Sequence, residues 1–348
     1  MIFKATKESM SKRRLVIVLI VGISISLMGW LASSFRYVLQ GPAKTVQVNH
    51  QKSITLIKLN VRLGWLVNAN SAGQIAALAE GFYREEGLDI TFNEGGIADP
   101  SVKTVAAGAD DLGFANGPDL VISARAAGAP LKILAVIQRD GYHSFFVRED
   151  SGILTPKDWI GRRVGIKVGS PTYLYYLAIL NKLGIGRASI HEVPLGYDVS
   201  PFLTKGVDVF PGAKNNEAIT IEALGVRLRF ISPADYGIQT MGNVLFTTET
   251  MLLEREDAVR RFVRATMRGW DWCQVPENQD AVINYLIAYN PKLERVKEKR
   301  ALEETLPLVD NGSIDRNKLA DIIDNQLRYG GLSRRVTVEE LIAPILPE

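Results

Sequence analysis

Between Ile54 and Phe92 the spacing of apolar positions changes period twice. Alternating apolar residues in ITLIKLNVRLGW fit a half-buried strand, and GQIAALAEGFYREEG then carries the spacing of a helix that ends at Gly87. LDITF returns to alternation, so the unit reads as strand, polar loop, helix, turn and second strand. In a parallel βαβ unit such a loop lies at the carboxyl edge of the strand. The free N–H groups of the helix start, with Asn68, Asn70 and Ser71, then face a crevice suited to anionic or strongly polar groups. The same residue types also serve as plain helix caps, and both roles stay open here.

Strand-like runs recur along the chain: LKILAVIQ, SFFVRE, RRVGIKV, SIHEVPL, VDVFPG, RLRFISP and NVLFTT. Helical stretches such as TYLYYLAILNKLGI separate them, and from Leu252 onward the patterning is almost all helical. This alternation predicts an α/β fold with mostly parallel sheets.

The head of the chain has a different pattern. MIFKATKESMSKRR carries five Lys or Arg residues, and the 18 residues from Leu15 to Ala32 carry no charge. A run of that length is near the lower limit for a bilayer span and longer than most signal-peptide cores, with its basic flank expected to stay in the cytoplasm. Ala32-Ser33-Ser34 before Phe35 would permit cleavage, so residues 1–34 are expected to be a signal peptide or a signal anchor, and 35–52 a linker. The single cysteine, Cys273, excludes both a lipidated cysteine behind the signal and an intrachain disulfide.

Composition narrows the function. The 348 residues are 47% hydrophobic and 23% charged with a net charge of +3, the profile of an ordinary folded protein. No basic stripe interleaved with aromatics appears, so nucleic acid is not an expected partner. The phosphate-loop spacing GxxxxGK[ST] is absent, no His, Cys and acid cluster has metal-ligand spacing, and no Ser-His-Asp set can be nominated. No catalytic residue and no cofactor is therefore expected.

Several loops repeat the chemistry of the first. Strand DLGFA leads into Asn116 and Gly117, with Pro118 suited to a helix's first turn; Asn116 is a ligand donor or a turn residue, and Gly117 lets backbone N–H groups approach closely. VGIKVGSPTYLYYLAIL places Gly169 and Ser170 at a turn and Thr172 near a helix start. Tyr173, Tyr175 and Tyr176 divide between packing and rim, because one helix does not aim three near neighbours into one cleft. FPGAKNNEAITIEALG sets Asn215, Asn216 and Glu217 ahead of an apolar helix, where Glu217 favours the helix start or accepts from a ligand. Trp65 is a platform for a flat ring or a core residue. His143, with Tyr142 and Ser144, lines a cleft or packs a hinge.

Trp65, Asn68 and Gly73, followed by Gly81, Phe82, Tyr83, Glu86, Gly87, Leu88 and Asp89, resemble the opening of the NMT1/THI5-like and sulfonate-binding-like family of bacterial ABC-transporter solute-binding proteins. Val67 stands where the family pattern has Pro, and Ser71 where many members have His. The segments VAAGADDLGFANGPDLVISARAAGAPLKILAVI, DSGILTPKDWIGRRVGI, VPLGYDVSPFLTKGVDVFPGAKNNEAI, DYGIQTMGNVLFTTE and VRRFVRATMRGWDW continue the match in order.

The resemblance implies a two-lobe periplasmic-binding-protein-like fold (type II), with lobe 1 from 53–152 and 240–348 and lobe 2 from 153–239. It implies a small-molecule ligand held between the lobes and partnership with an ABC permease and ATPase at the outer face of the cytoplasmic membrane, where the pattern of residues 15–32 leaves the chain anchored or secreted. Ser170 or Thr172 become ligand donors. Glu217 becomes an acceptor for an amino group on a heterocycle, as in pyrimidine-binding members. The ligand is a small polar heterocycle or anion, pyrimidine-precursor-like or sulfonate- or nitrate-like. Two alternatives are a membrane-tethered sensor and a thiamine pyrimidine synthase. The synthase asks for a histidine in the first loop and a cysteine-rich segment, whereas this chain has Ser71 and no cysteine before Cys273.

Overall fold

The computed structural model describes residues 55–345 apart from Tyr197. The expected signal or anchor and its linker lie outside the described residues. Among the described residues no helix is long and apolar enough to cross a membrane.

Among the described residues eleven strands form two mixed sheets. In chain order they are β1 (Ile57–Arg62), β2 (Leu88–Asn93), β3 (Leu112–Ala115), β4 (Leu131–Gln138), β5 (His143–Arg148), β6 (Arg163–Ile166), β7 (His191–Pro194), β8 (Val209–Ala213), β9 (Leu228–Ile231), β10 (Val244–Thr248) and β11 (Val309–Gly312). The first sheet has the order β11-β4-β10-β3-β1-β2 and the second β7-β6-β8-β5-β9. The chain crosses between Gln138 and His143 and returns between Ile231 and Val244.

Two expectations need correction. The first crossing precedes β5, so 143–152 belongs with the second sheet rather than the first: β5 pairs with β8 and β9 along its length. The hydrophobic run of a strand carries no label for the sheet it joins. The sheets are also mixed rather than mostly parallel. β5 runs antiparallel to β8 and β9, and β10 antiparallel to β3 and β4. Both strands come directly after a crossing, so each enters its sheet from the end at which the parallel strands finish. That entry gathers the starts of β5 and β10 with the carboxyl ends of β1, β3, β6 and β8.

The helices relevant to the site are α1 (Ala72–Ala79), α2 (Asp119–Ala126), α3 (Pro171–Leu183), α4 (Glu249–Gln274), α5 (Arg295–Thr305) and α6 (Arg316–Asn325). The single helix expected over 73–87 is interrupted at Gly81, whose φ of 78° is a left-handed conformation that only glycine adopts cheaply; a short helical turn, Phe82–Glu85, follows. α1 is made of small residues because α4 lies directly on it. A Cβ on Gly73 would fall 2.3 Å from the Trp270 ring, and one on Gly269 would fall 2.1 Å from the Gly73 carbonyl oxygen. The Tyr83 and Phe262 rings stack at 5.1 Å beside this contact, and the Tyr83 hydroxyl meets Thr266 at 2.9 Å. The second sheet has its own core of Phe145, Trp159, Val164, Tyr175, Tyr176 and Ile179.

Candidate functional site

The loop after β1 is fixed before it can meet a ligand. Asn68 starts a short turn, accepting from the Asn70 N–H at 2.9 Å, while Ser71 Oγ donates to the Asn68 carbonyl at 2.8 Å. Glu298 of α5, itself buried, accepts the Ala69 N–H at 2.9 Å from below. Ser71 is thus engaged in capping and lies in a smaller recess beside the main cavity, whereas Asn68 and Asn70 reach the cavity wall.

The cavity itself encloses about 680 Å³ between the two sheets, part of it open to solvent. From the first sheet it is lined by Trp65, Asn68, Asn70 and Asn116, and from the second by His143, Lys167, Gly169, Ser170, Thr172, Asn216 and Glu217. Tyr142, at the crossing, joins them. Trp65 is half-buried at the wall rather than in the core. Asn116 donates to the Gly64 carbonyl at 3.2 Å, so its amide is oriented by β1's own loop. Ser170 Oγ donates to the Lys167 carbonyl at 2.6 Å and lies 2.8 Å from the Thr172 hydroxyl.

Besides Ser71, two nominated residues lie elsewhere. Ser144 is fully buried and donates to the Ile231 carbonyl at 3.0 Å; strand alternation turns it away from the cavity that its neighbour His143 lines. Gly117 is absent from the wall but keeps the sheets close. At its φ of 149°, a Cβ would fall 3.0 Å from Asp119 Oδ2 and 3.4 Å from the Tyr175 hydroxyl. Nor do the three tyrosines of α3 line the cavity. Tyr176 donates to Glu192 at 2.9 Å and Tyr175 to Asp119 at 2.7 Å, while Tyr173 packs on the second core.

An amide network bridges the two halves. Asn215 Nδ2 donates to Asn70 Oδ1 at 2.8 Å and to Thr305 Oγ1 of α5 at 2.9 Å. Gln138 donates to the same Asn70 oxygen at 3.2 Å, and Asn243 Nδ2 to the Asn70 carbonyl at 3.1 Å. Tyr142 donates to Asn243 Oδ1 at 2.9 Å, so both crossing segments are tied to the first loop. The Asp119–Tyr175 bond is a second tie between the halves.

Lys167 was not nominated from sequence. Its ammonium lies 2.7 Å from Glu217 Oε1 and 4.7 Å from the centre of the Phe210 ring, and only 3% of the residue is exposed. Glu217 Oε2 accepts the Ala213 N–H at 3.0 Å. The signal was present: a lone lysine in VGIKVGS, directly after an apolar strand and before a Gly-Ser turn, sits at the strand's carboxyl edge.

The electrostatics follow from burial and this pair. Burial acts to raise the Glu217 pKa, but the Lys167 charge and hydrogen bond, with the Ala213 N–H, take it below the usual carboxylate value. Burial pushes His143 down to about 4, with Lys167 adding to the fall and Glu217 opposing it, so its imidazole is neutral at physiological pH. Its Nδ1 has no hydrogen-bond partner. Burial also pushes Asp119 up to about 6 against the bonds from Tyr175 and Gln326. Among the described residues no group of three His, Cys, Asp or Glu side chains is placed to hold a metal ion.

Comparison with known proteins gives this geometry a family. The chain is 24% identical over 303 residues to the formylaminopyrimidine-binding protein of Halalkalibacterium halodurans, covering 82% of this chain and 90% of that protein. It is 23% identical to the riboflavin-binding protein RibY of Chloroflexus aurantiacus, covering 84% and 85%. It is also 25% identical to a protein of Legionella pneumophila named 4-amino-5-hydroxymethyl-2-methylpyrimidine phosphate synthase, covering 78% and 86%. The alkanesulfonate-binding protein SsuA of Xanthomonas axonopodis pv. citri, solved with MOPS bound, has the same fold, with a TM-score of 0.62 at 18% identity over 82% of this chain and 98% of that one. The NMT1/THI5-like family model matches residues 68–279, which carry all of the cavity lining from Asn68 onward, and the chain belongs to that family.

Proposed function

We propose that this chain is the ligand-binding component of an importer, and that it closes its two halves over a small, uncharged, polar ring compound. One observation carries the choice of ligand. Among the described residues that line the cavity, the only charged side chains are Lys167 and Glu217, and they are paired with each other. The rest of the wall consists of amides, hydroxyls, glycine backbone, a neutral imidazole, the rings of Trp65 and Tyr142 and apolar residues such as Ala115, Leu120 and Pro171. Such a wall offers directed hydrogen bonds and flat apolar contact with no spare charge to balance an anion.

Closure is the expected mechanism, since the ties between the halves pass through Asn70, Asn215, Asp119 and Tyr175, and a ligand that prefers the closed form adds to them. In this role the protein is exported, with residues 15–32 at the cytoplasmic membrane, and delivers its ligand to an ABC permease and ATPase. The names of two relatives, both binding proteins for small ring compounds, support the solute-binding part of this role.

Calorimetry on residues 53–348 with formylaminopyrimidine, riboflavin and methanesulfonate tests the ligand class. A neutral ring compound should bind with a Kd of about 1 μM or tighter, more than tenfold tighter than the sulfonate, a gap of at least about 1.4 kcal/mol. Tighter binding of the sulfonate would overturn the proposal. The Legionella relative motivates one further measurement: the bound ring compound should be recovered chemically unchanged after denaturation, and a transformed product would favour synthase chemistry.

A further inference from the structure

We infer that Lys167 sets the charge of the molecule this cavity accepts, and that Glu217 acts as a built-in counter-anion that keeps its ammonium from binding an anionic ligand. This rests on the cavity being the ligand site. The two side chains come from separate loops of the second half, Lys167 from the end of β6 and Glu217 from the turn after β8. Nothing in the local backbone obliges them to meet. They meet at 2.7 Å in a wall where both are almost fully buried.

The surroundings of the ammonium suit an anion. The Ser170 hydroxyl is bonded to Lys167's own carbonyl, the Thr172 hydroxyl lies beside it, and Gly169 sits in the same turn with a φ of 84°. All three residues line the cavity with Lys167. The ammonium, these two hydroxyls and the glycine turn line one cavity, and together they are groups able to donate to a sulfonate or carboxylate. Here the Glu217 carboxylate occupies the position of that group. It takes the ammonium on one oxygen and the Ala213 N–H on the other, 3.0 Å away, so the chain supplies its own anion.

The charge balance then becomes a switch of one residue. Glu217→Gln keeps the shape, and its amide oxygen still accepts from Lys167 while the Ala213 N–H loses its acceptor, but the cavity changes from net neutral to net positive. Lys167→Met does the opposite and leaves a carboxylate facing the cavity. The two probes are methanesulfonate and its neutral isostere methanesulfonamide, followed by calorimetry and by the shift in melting temperature at constant ionic strength.

The wild-type chain is expected to bind neither probe below about 10 mM. Glu217→Gln should bind methanesulfonate at least tenfold more tightly than wild type and methanesulfonamide no better. The double variant Lys167→Met, Glu217→Gln, which removes both charges, should lose the gain. If Glu217→Gln does not fold, Lys167→Met supplies the mirror case, with at least tenfold gain for methylguanidinium over wild type. A folded Glu217→Gln chain without the anion gain, or a gain that survives in the double variant, overturns the inference. So does Lys167→Met without the cation gain, where that variant is the one that folds. The importer reading stands or falls separately: it fails if the wild-type chain binds no neutral ring compound, whatever the variants do with methanesulfonate.

Discussion

Trp270→Ala should destabilise the protein by about 3–5 kcal/mol, the cost of removing a large, fully buried aromatic side chain. Trp270 has no exposed surface, and its ring lies against Gly73 where α1 begins, just beyond the loop that brings Asn68 and Asn70 to the cavity. A second substitution tests that geometry rather than burial alone. Gly73→Ala places a methyl 2.3 Å from the ring and should cost about 1–3 kcal/mol of overpacking in the wild-type chain, despite alanine's better helix propensity. In the Trp270→Ala background the same methyl enters the vacated space and should cost nothing or stabilise. Urea unfolding of the four proteins gives the cycle directly. Additive losses would mean that the ring and Gly73 do not share this space, and the account of the α1–α4 contact would be wrong.

Much of the architecture was legible because hydrophobic period is a local property. LKILAVIQ coincides with β4, and TYLYYLAILNKLGI covers nearly all of α3. What could not be read was long-range. SFFVRE is a strand by its pattern, yet only its partners β8 and β9 assign it to the second sheet, and only its entry from the cleft makes it antiparallel. The candidate site divides in the same way. Loops ending apolar runs were visible as crevice material, which led to Asn70, Asn116, Ser170 and Glu217. Ser144 was misplaced because adjacent strand residues face opposite ways, and the register that settles which of 143 and 144 faces the cavity is set by β8 and β9. Lys167 stands just past a strand's end, where its position alone does not say whether its charge is exposed or paired. Its meaning arises only when Glu217, fifty residues later, folds against it. The network of Asn70, Asn215, Gln138 and Asn243 is likewise a product of tertiary structure, joining four segments distant in sequence.

Two buried groups should give the stability of this protein opposing pH dependences that nearly cancel in the wild-type chain. Asp119 has a native pKa of about 6, raised by burial from the 3.8 of an exposed aspartate. Its contribution is therefore fully present below pH 4 and is lost as pH rises through 6. His143 has a native pKa of about 4, lowered by burial from 6.5, so its contribution is fully present above pH 6.5 and is lost as pH falls through 4. Each shift corresponds to about 3 kcal/mol by proton linkage, and the windows overlap between pH 4 and 6.5 with opposite sign. Single variants separate the two. Asp119→Asn keeps an acceptor for the Tyr175 hydroxyl and does not titrate. Relative to wild type it should gain about 3 kcal/mol between pH 4 and pH 8. His143→Gln should gain a similar amount relative to wild type as pH falls from 7 to 4. Urea midpoints at intervals across pH 4–8 report both, and variant curves that run parallel to the wild-type curve would show that these groups are not desolvated as the fold requires. Since the Asp119–Tyr175 bond joins the two halves, a hydrated Asp119 in an open form would have a lower pKa than in the closed one. Closure would then take up a proton near pH 5, and the pH dependence that Asp119→Asn removes would appear in ligand affinity as well as in unfolding.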